Sequence, residues 1–175
     1  MAQQITIPLS KSTLRPFTLQ DARSLALHAN NLKIARNLRD AFPHPYNLED
    51  AEKWIETTKY ESDNLMLAIE IGGEVVGAVG MHRFKDVYRL KAEIGYWLSE
   101  KYWGKGIVTE ALSAFVRHIF STTDLIRIQA EIFEHNKASM RVLEKAGFAC
   151  EAIHRKAVIK NGKILDEYIY VIFRQ

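Results

Sequence analysis

The chain has 175 residues, a length that predicts a single domain over residues 1–175 with a sizeable buried core. Its 24 Lys and Arg side chains against 21 Asp and Glu give a net charge of +3, too small to predict nucleic acid as the main partner. The single cysteine, Cys150, excludes an internal disulfide framework and is expected to be a small buried residue. Without a signal-peptide pattern or a membrane-length apolar run, we expect a soluble cytoplasmic protein.

The first half of the chain predicts short helices followed by a hairpin. Thr18 and Asp21 have the spacing of a helix start, and Asn47 with Asp50 can cap a later helix. The segment 41–46 contains two prolines and cannot continue a helix, so we expect a stiff aromatic loop there. The predicted elements are a strand over 13–16, helices over 18–29, 32–38 and from Asn47 through Trp54 to about Tyr60, and a hairpin of 64–71 with 74–82 around Gly72 and Gly73.

The stretch from Ala92 to Phe120 predicts a strand, a glycine loop and a helix. Apolar residues alternate from Ala92 to Leu98, Gly104 and Gly106 follow, and a helical pattern begins at Ile107. The first N–H groups of a helix have no partner in that helix and lie at the positive end of its dipole. The loop therefore suits an anion such as phosphate, although a tight strand-to-helix turn also explains both glycines.

The second half predicts a strand over 125–133, a helix capped by Asn136 and ended by Gly147, and a hairpin of 152–160 with 163–173 around Asn161 and Gly162. Strands and helices thus alternate in the middle of the chain and hairpins occur towards both ends. This order predicts an α+β or mixed α/β fold around one mixed sheet. The glycine loop matches neither the dinucleotide fingerprint nor the nucleotide P-loop.

Two motifs in this order resemble those of the GCN5-related N-acetyltransferase (GNAT) superfamily. Residues 101–106, KYWGKG, are similar to its acetyl-CoA pyrophosphate loop, with Lys101 in place of the usual Gln or Arg. Residues 136–139, NKAS, followed by LEKAGF at 143–148, are similar to its second cofactor motif. With IGYWL at 94–98 and the final hairpin, the chain resembles the branch that contains the ribosomal-protein alanine N-acetyltransferases.

The resemblance implies a mostly antiparallel sheet of about seven strands flanked by helices, with a splayed strand pair that holds acetyl-CoA. It implies that an extended pantetheine arm pairs with strand 93–98 and that loop N–H groups bind the pyrophosphate without a metal. The cofactor-binding residues so implied are Trp97, Leu98, Trp103, Gly104, Lys105, Gly106, Ile107, Val108 and Asn136.

Acetyl transfer to an amine needs a base for the ammonium and a proton for the departing thiolate. Glu93, a carboxylate in a mostly apolar strand, is our candidate base; the alternative is a solvated side chain or an ion pair with Lys91 or Arg83. The resemblance makes Ser139 the candidate acid, while the residues alone favour a helix-capping role beside Asn136.

Residues of the early variable segments are candidates for the acceptor site, with core or loop packing as the alternative for each. They are Phe42, His44, Tyr46 and His82. The six histidines show no ligand spacing, so no metal is predicted.

We therefore expect an N-acetyltransferase that moves an acetyl group directly from acetyl-CoA to a primary amine, either a protein N-terminus or a small molecule. It is expected to act as a monomer or homodimer without membrane or nucleic-acid partners. A non-catalytic acyl-CoA-binding sensor or interaction module of the same fold is the alternative.

Overall fold

The computed structural model describes residues 5–58 and 63–175. In these ranges the chain forms one eight-stranded sheet in the order β1-β2-β3-β4-β5-β6-β8-β7, antiparallel except between β5 and β6. The strands are β1 Ile7–Pro8, β2 Thr13–Arg15, β3 Asn64–Ile71, β4 Glu74–Arg83, β5 Lys91–Leu98, β6 Arg127–Phe133, β7 Ala149–Lys160 and β8 Lys163–Phe173. The helices are α1 Ala22–Ala29, α2 Leu32–Ala35, α3 Leu48–Thr58, α4 Ile107–Thr122 and α5 Lys137–Lys145.

Helices cover both faces of the sheet and give the chain two hydrophobic cores. On one face, α4 and α5 bury Phe115 and Leu143 against Ile94 and Ile128 of the central strands. On the other face, α1 and α3 pack over β3 and β4 through a cluster of Leu25, Ile55, Ala68 and Ala78. Because strand side chains alternate between faces, residues 92, 94, 96 and 98 of β5 face α4 and α5, whereas 93, 95 and 97 face the α1 side.

Most predicted elements are confirmed, and the mixed, mostly antiparallel sheet is as expected. The sheet has eight strands rather than about seven, because Ile7 and Pro8, which precede the first predicted strand, pair with β2 and form β1. Strand β7 begins at Ala149, ahead of the predicted start, and contains two register shifts. The predicted end of the third helix near Tyr60 lies outside the described residues. Within them, α3 extends to Thr58.

The second predicted helix is wrong in length, since α2 ends at Ala35 rather than at Leu38. After Ala35 the chain turns through short-range bonds, in which Asn37 N donates to Ile34 O and Leu38 N to Ala35 O. Polar side chains beyond the turn bind distant strands, as described below. Tertiary contacts therefore override the local helical pattern here.

Cys150 is exposed, so the expectation that it is buried is wrong; it lies near the start of β7, an outer strand of the sheet. Among the described helices, none combines the length and apolar character needed to cross a membrane.

Candidate active site

Strands β5 and β6 run parallel but separate partway along their length. They pair over three positions, residues 91–93 with 127–129. Beyond Glu93, β5 continues to pair with β4 as far as Leu98, and β6 continues to pair with β8 as far as Phe133. The facing edges of the two strands are therefore apart, which makes main-chain N–H and C=O groups of β5 accessible to an extended amide ligand. This gap is the predicted splayed strand pair.

The glycine loop follows directly at the open end of this gap. Gly104 and Gly106 have φ angles of 73° and 75°, the left-handed conformation that glycine adopts at little cost, and α4 begins at Ile107. The indole N–H of Trp103 donates to the carbonyl oxygen of Leu98 at 2.7 Å. This bond ties the loop to the end of β5, while the Leu98 side chain is buried in the core.

The shape of the loop fits a phosphate group. A Cβ atom built on Gly104 or Gly106 meets nothing within 4 Å, so the space above both residues is open. Gly106 is the N-cap residue of α4 and has no side chain that could cap the N–H groups of the first turn. Because α4 runs for 16 residues, its positive dipole end adds to these donors. Ile107 is buried and Val108 half-buried, so both offer main-chain groups rather than side chains.

The second motif begins α5 on the other side of the gap. The Asn136 side chain accepts a hydrogen bond from Ser139 N at 3.3 Å and caps the helix. The Ser139 hydroxyl lies 2.6 Å from the Tyr96 hydroxyl, which reaches across from β5 beyond the point of separation. Burial raises the pKa of Tyr96, so its phenol remains protonated at neutral pH and able to donate to Ser139.

Glu93 lies on the opposite face, at the position where β5 and β6 separate. Its carboxylate accepts a hydrogen bond from Arg39 Nη2 at 2.6 Å, and the same nitrogen donates to Glu131 at 2.8 Å. Arg39 comes from the turn after α2 and bridges two strands. The predicted ion-pair partners of Glu93, Lys91 and Arg83, are therefore wrong. Arg83 binds Asp124, and the Lys91 ammonium lies over the rings of Phe84 and Tyr88. The Glu93 side chain is 18% exposed, so it remains in contact with solvent.

A further carboxylate, Glu167 of β8, faces the same region. Burial raises the pKa of Glu167, and the negative charge of Glu131 raises it further. The positive charge of Arg39 opposes this rise, and His154 Nδ1 lies 3.9 Å from the Glu167 carboxylate. Within the described ranges, no group of three or more His, Cys, Asp or Glu side chains is arranged to hold a metal ion.

The candidate acceptor residues separate into two kinds. Phe42 contacts Tyr46 and Trp97, with ring centroids 4.9 Å and 5.9 Å apart, so these three rings form one aromatic wall. Tyr46 is buried and burial raises its pKa to about 12. His44 is exposed and, with Phe42, lines a cleft of about 220 Å³ against the β7–β8 hairpin. His82 is exposed on β4 directly opposite Glu93.

An opening in this face lies at Gly95. The residue sits in the middle of the sheet between Glu93 and Trp97, yet it is exposed, and a Cβ atom built on it meets nothing within 4 Å. A central strand position is normally covered by packed side chains. The space beside Glu93 and the gap is therefore uncovered.

Sequence reasoning missed Tyr96 and Arg39. Tyr96 carried one signal, a hydroxyl at a core-facing position of the strand before the loop, which implies a polar partner. Arg39 carried an indirect signal, because Glu93 and Glu131 each stand between apolar residues in a strand and neighbouring carboxylates favour a cation. The identity of that cation was not readable from the residues.

The comparisons with known proteins agree with this geometry. Residues 11–149 match the family model described as acetyltransferase (GNAT) domain. The uncharacterized N-acetyltransferase YoaA of Bacillus subtilis (strain 168) is 31% identical over 166 residues, 92% of each chain. The ribosomal-protein-serine acetyltransferase of Escherichia coli (strain K12) is 28% identical, covering 87% of this chain and 94% of its own.

A solved structure extends the likeness to the cofactor. The microcin C7 self immunity acetyltransferase MccE, in complex with acetyl-CoA and AMP, is 26% identical with a TM-score of 0.84. The match covers 95% of this chain and 94% of that one. The chain therefore belongs to the GNAT acetyltransferase family and is an acetyl-CoA-dependent N-acetyltransferase.

Proposed function

We propose that the acetyl group is transferred directly to a primary amine at the point where β5 and β6 separate, with Glu93 as base and Ser139 as acid. The observation that supports this assignment is their placement: Glu93 and Ser139 approach the same gap from opposite faces of the sheet. An amine that enters over Gly95 then meets Glu93, and a thiolate that leaves towards α5 meets Ser139.

The cofactor residues are proposed from the same geometry. Main-chain N–H groups of the loop from Trp103 to Val108 hold the pyrophosphate, and the exposed edge of β5 through Trp97 and Leu98 pairs with the pantetheine amides. Asn136, at the start of α5, borders the gap from the other side while it caps the helix. Acetyl-CoA supplies the thioester carbonyl that the amine attacks and the thiol group that leaves.

The protein side chains move the protons. Glu93 accepts a proton from the acceptor ammonium, directly or through a water molecule, and so supplies a neutral amine. A main-chain N–H near Trp97 or Leu98 stabilises the oxyanion that forms at the thioester carbon. The Ser139 hydroxyl donates towards the sulfur as the C–S bond breaks, and Tyr96 holds that hydroxyl in place.

Loss of turnover with retained cofactor binding tests these roles. Glu93→Gln and Ser139→Ala are each expected to lower the rate of CoA thiol release in the presence of amine by about 100-fold or more. CoA affinity should stay within about threefold of wild type, because neither side chain belongs to the phosphate loop. Glu49→Gln on the exposed side of α3 and Ser121→Ala at the end of α4 are the matched controls. Full activity of both variants refutes the roles.

The acceptor class is proposed as a peptide N-terminus or a small-molecule amine. The uncovered face around Gly95 supports a peptide terminus, because an extended chain can lie across it. Two relatives point to different acceptors by name, a ribosomal-protein-serine acetyltransferase and a microcin C7 self immunity acetyltransferase. A panel of peptides with Ser or Ala at the N-terminus, run beside small amines, decides between the classes by kcat/KM.

We also propose that residues 1–175 form one N-acetyltransferase domain that acts in the cytoplasm as a monomer or homodimer. The two cores share a single sheet, which supports one cooperative unit. A single unfolding transition and the mass in solution, by calorimetry and light scattering, test the domain and the oligomeric state.

A further inference from the structure

The turn between β1 and β2 lies against the phosphate loop, far away along the chain. Residues 9–12 form this turn, closed by a bond from Leu9 N to Ser12 O at 2.9 Å. Ser10 donates from its main-chain N and from its hydroxyl to the two carboxylate oxygens of Glu110, each at 2.9 Å. Lys11 Nζ donates to the carbonyl oxygen of Lys105 at 2.7 Å. Three hydrogen bonds thus join the turn to the loop and to the start of α4.

The Ser10 contact controls a charge beside the phosphate loop. Glu110 lies in the first turn of α4, where the helix dipole favours a carboxylate. A carboxylate that is free in this position can bind the same N–H groups as a phosphate and repels it. The two hydrogen bonds from Ser10 lower the pKa of Glu110 and direct its charge to the turn. The first N–H groups of α4 are then left to an anionic ligand.

The Lys11 contact adds a positive charge to the same place. Lys11 lines a cleft of about 630 Å³ together with Tyr102, Gly104, Lys105 and Ile107. The second lysine that lines this cleft, Lys105, has its ammonium bound to the loop itself, because Lys105 Nζ donates to the carbonyl oxygen of Lys101 at 3.0 Å. The hydrogen bond from Lys11 to the loop carbonyl therefore holds an ammonium beside the open space above Gly104.

We propose that this turn is part of the cofactor site, with Lys11 as a ligand of the CoA pyrophosphate and Ser10 as a positioning residue that acts through Glu110. The proposal rests on cofactor binding by the family and not on the roles given to Glu93 and Ser139. A lysine ammonium has three N–H donors, so it can make a second hydrogen bond without giving up the first. Lys11 can therefore keep its bond to Lys105 while it binds a phosphate oxygen.

The test of Lys11 measures CoA affinity directly, without an acceptor. Lys11→Gln is expected to weaken CoA about tenfold, the typical value of one charge-assisted contact of about 1.4 kcal/mol. Lys11→Arg should stay within about threefold, because it keeps the charge. Lys53→Gln, an exposed lysine on α3, is the control for a lost surface charge. In turnover, the loss should appear in the KM for acetyl-CoA rather than in kcat.

Truncated ligands identify the group that Lys11 binds. The tenfold loss should persist with dephospho-CoA, which keeps the pyrophosphate, and disappear with pantetheine, which has no phosphate. A loss seen with CoA but not with dephospho-CoA assigns Lys11 to the 3′-phosphate and overturns the proposal. Wild-type CoA affinity in Lys11→Gln, or an equal loss with pantetheine, also overturns it.

A double substitution tests the role of Ser10. Ser10→Ala removes the hydroxyl bond to Glu110 but keeps the main-chain bond, so the carboxylate is held less firmly away from the loop and CoA is expected to bind about threefold more weakly. Ser10→Ala with Glu110→Gln should recover most of that affinity, because the competing charge is gone. Equal weakness of the single and double variants would falsify the charge argument, since a merely structural role of Ser10 gives no such recovery. Failure of acetyl transfer in Glu93→Gln leaves these binding results unaffected.

Discussion

Substitution of Gly95 separates stability from activity at the proposed acceptor entrance. Glycine inside a strand is destabilising by roughly 0.5–1 kcal/mol relative to alanine, because its unfolded chain has more freedom to lose. A Cβ atom at Gly95 meets nothing within 4 Å and the residue does not have a positive φ angle, so alanine adds no clash and no strain. Gly95→Ala is therefore expected to raise the free energy of unfolding by about 0.5–1 kcal/mol. For a chain of this length, that is a rise in Tm of about 1–4 °C.

The same substitution is expected to lower activity. A side chain at Gly95 fills the space beside Glu93, and displacement of a reacting group by about 1 Å can cost roughly 100-fold in rate. We expect kcat/KM for the amine to fall about tenfold in Gly95→Ala and about 100-fold or more in Gly95→Val. Thermal unfolding, CoA thiol release and CoA binding measured on one preparation test this. Wild-type turnover of Gly95→Val refutes the reasoning that this space admits the acceptor. A lower Tm of Gly95→Ala refutes the reasoning that alanine fits at this position without clash or strain.

Three further substitutions have definite expected outcomes. Gly77→Ala places a Cβ atom 2.5 Å from the carbonyl oxygen of Trp97 in β5, so we expect the free energy of unfolding, measured with urea, to fall by about 1–3 kcal/mol. An unchanged free energy of unfolding contradicts this. Tyr96→Phe removes the hydroxyl 2.6 Å from Ser139, so kcat should fall about tenfold with CoA affinity retained, and an unchanged kcat excludes the positioning role. Burial alone raises the pKa of Asp21, but hydrogen bonds from Arg15 and a backbone N–H outweigh it and lower the pKa. The ionised Asp21 therefore stabilises the fold above the ordinary aspartate pKa near 4, and this contribution is lost as the pH falls through the lowered pKa. Between pH 6 and pH 3, the free energy of unfolding of Asp21→Asn should fall less than that of wild type.

Local signals explain why much of the fold was predictable. The hairpin turns at Gly72 with Gly73 and at Asn161 with Gly162 have positive φ angles, which few other residue types adopt easily. Asn47 and Asp50 hydrogen-bond each other's main-chain N–H at 3.0 Å and 2.9 Å, so the predicted helix start is formed within four residues. Each of these features depends on neighbours in the sequence. A pattern of adjacent residues is therefore enough to predict it.

The shape of the glycine loop was predictable for a related reason. The signal is the position of Gly104 and Gly106 directly before a helix, and the donors proposed for a phosphate are main-chain N–H groups rather than particular side chains. The structure adds what the motif does not contain. Ser10 reaches the first turn of α4 and Lys11 reaches the loop, over separations of 100 and 94 residues, and no local pattern indicates such contacts.

The acceptor side of the site was less predictable because its side chains come from separate elements. Arg39 reaches Glu93 across 54 residues and Glu131 across 92. The sequence favoured a helix to Leu38, which would have directed Arg39 differently. Only the early end of α2 and the packing of the following loop bring its guanidinium to both carboxylates.

This arrangement has a consequence for acceptor recognition. An acceptor ammonium that reaches Glu93 would enter a space where one guanidinium already hydrogen-bonds two carboxylates, so one negative charge is left for the ammonium. Arg39 is 63% exposed and comes from the same connecting segment as Phe42 and His44, so a change in this segment moves the cation and the aromatic wall together. The cofactor half of the site depends on a short motif and on main-chain groups. We propose that amine selectivity depends instead on the path of residues 36–46, which carries both the Arg39 guanidinium and the aromatic side chain of Phe42.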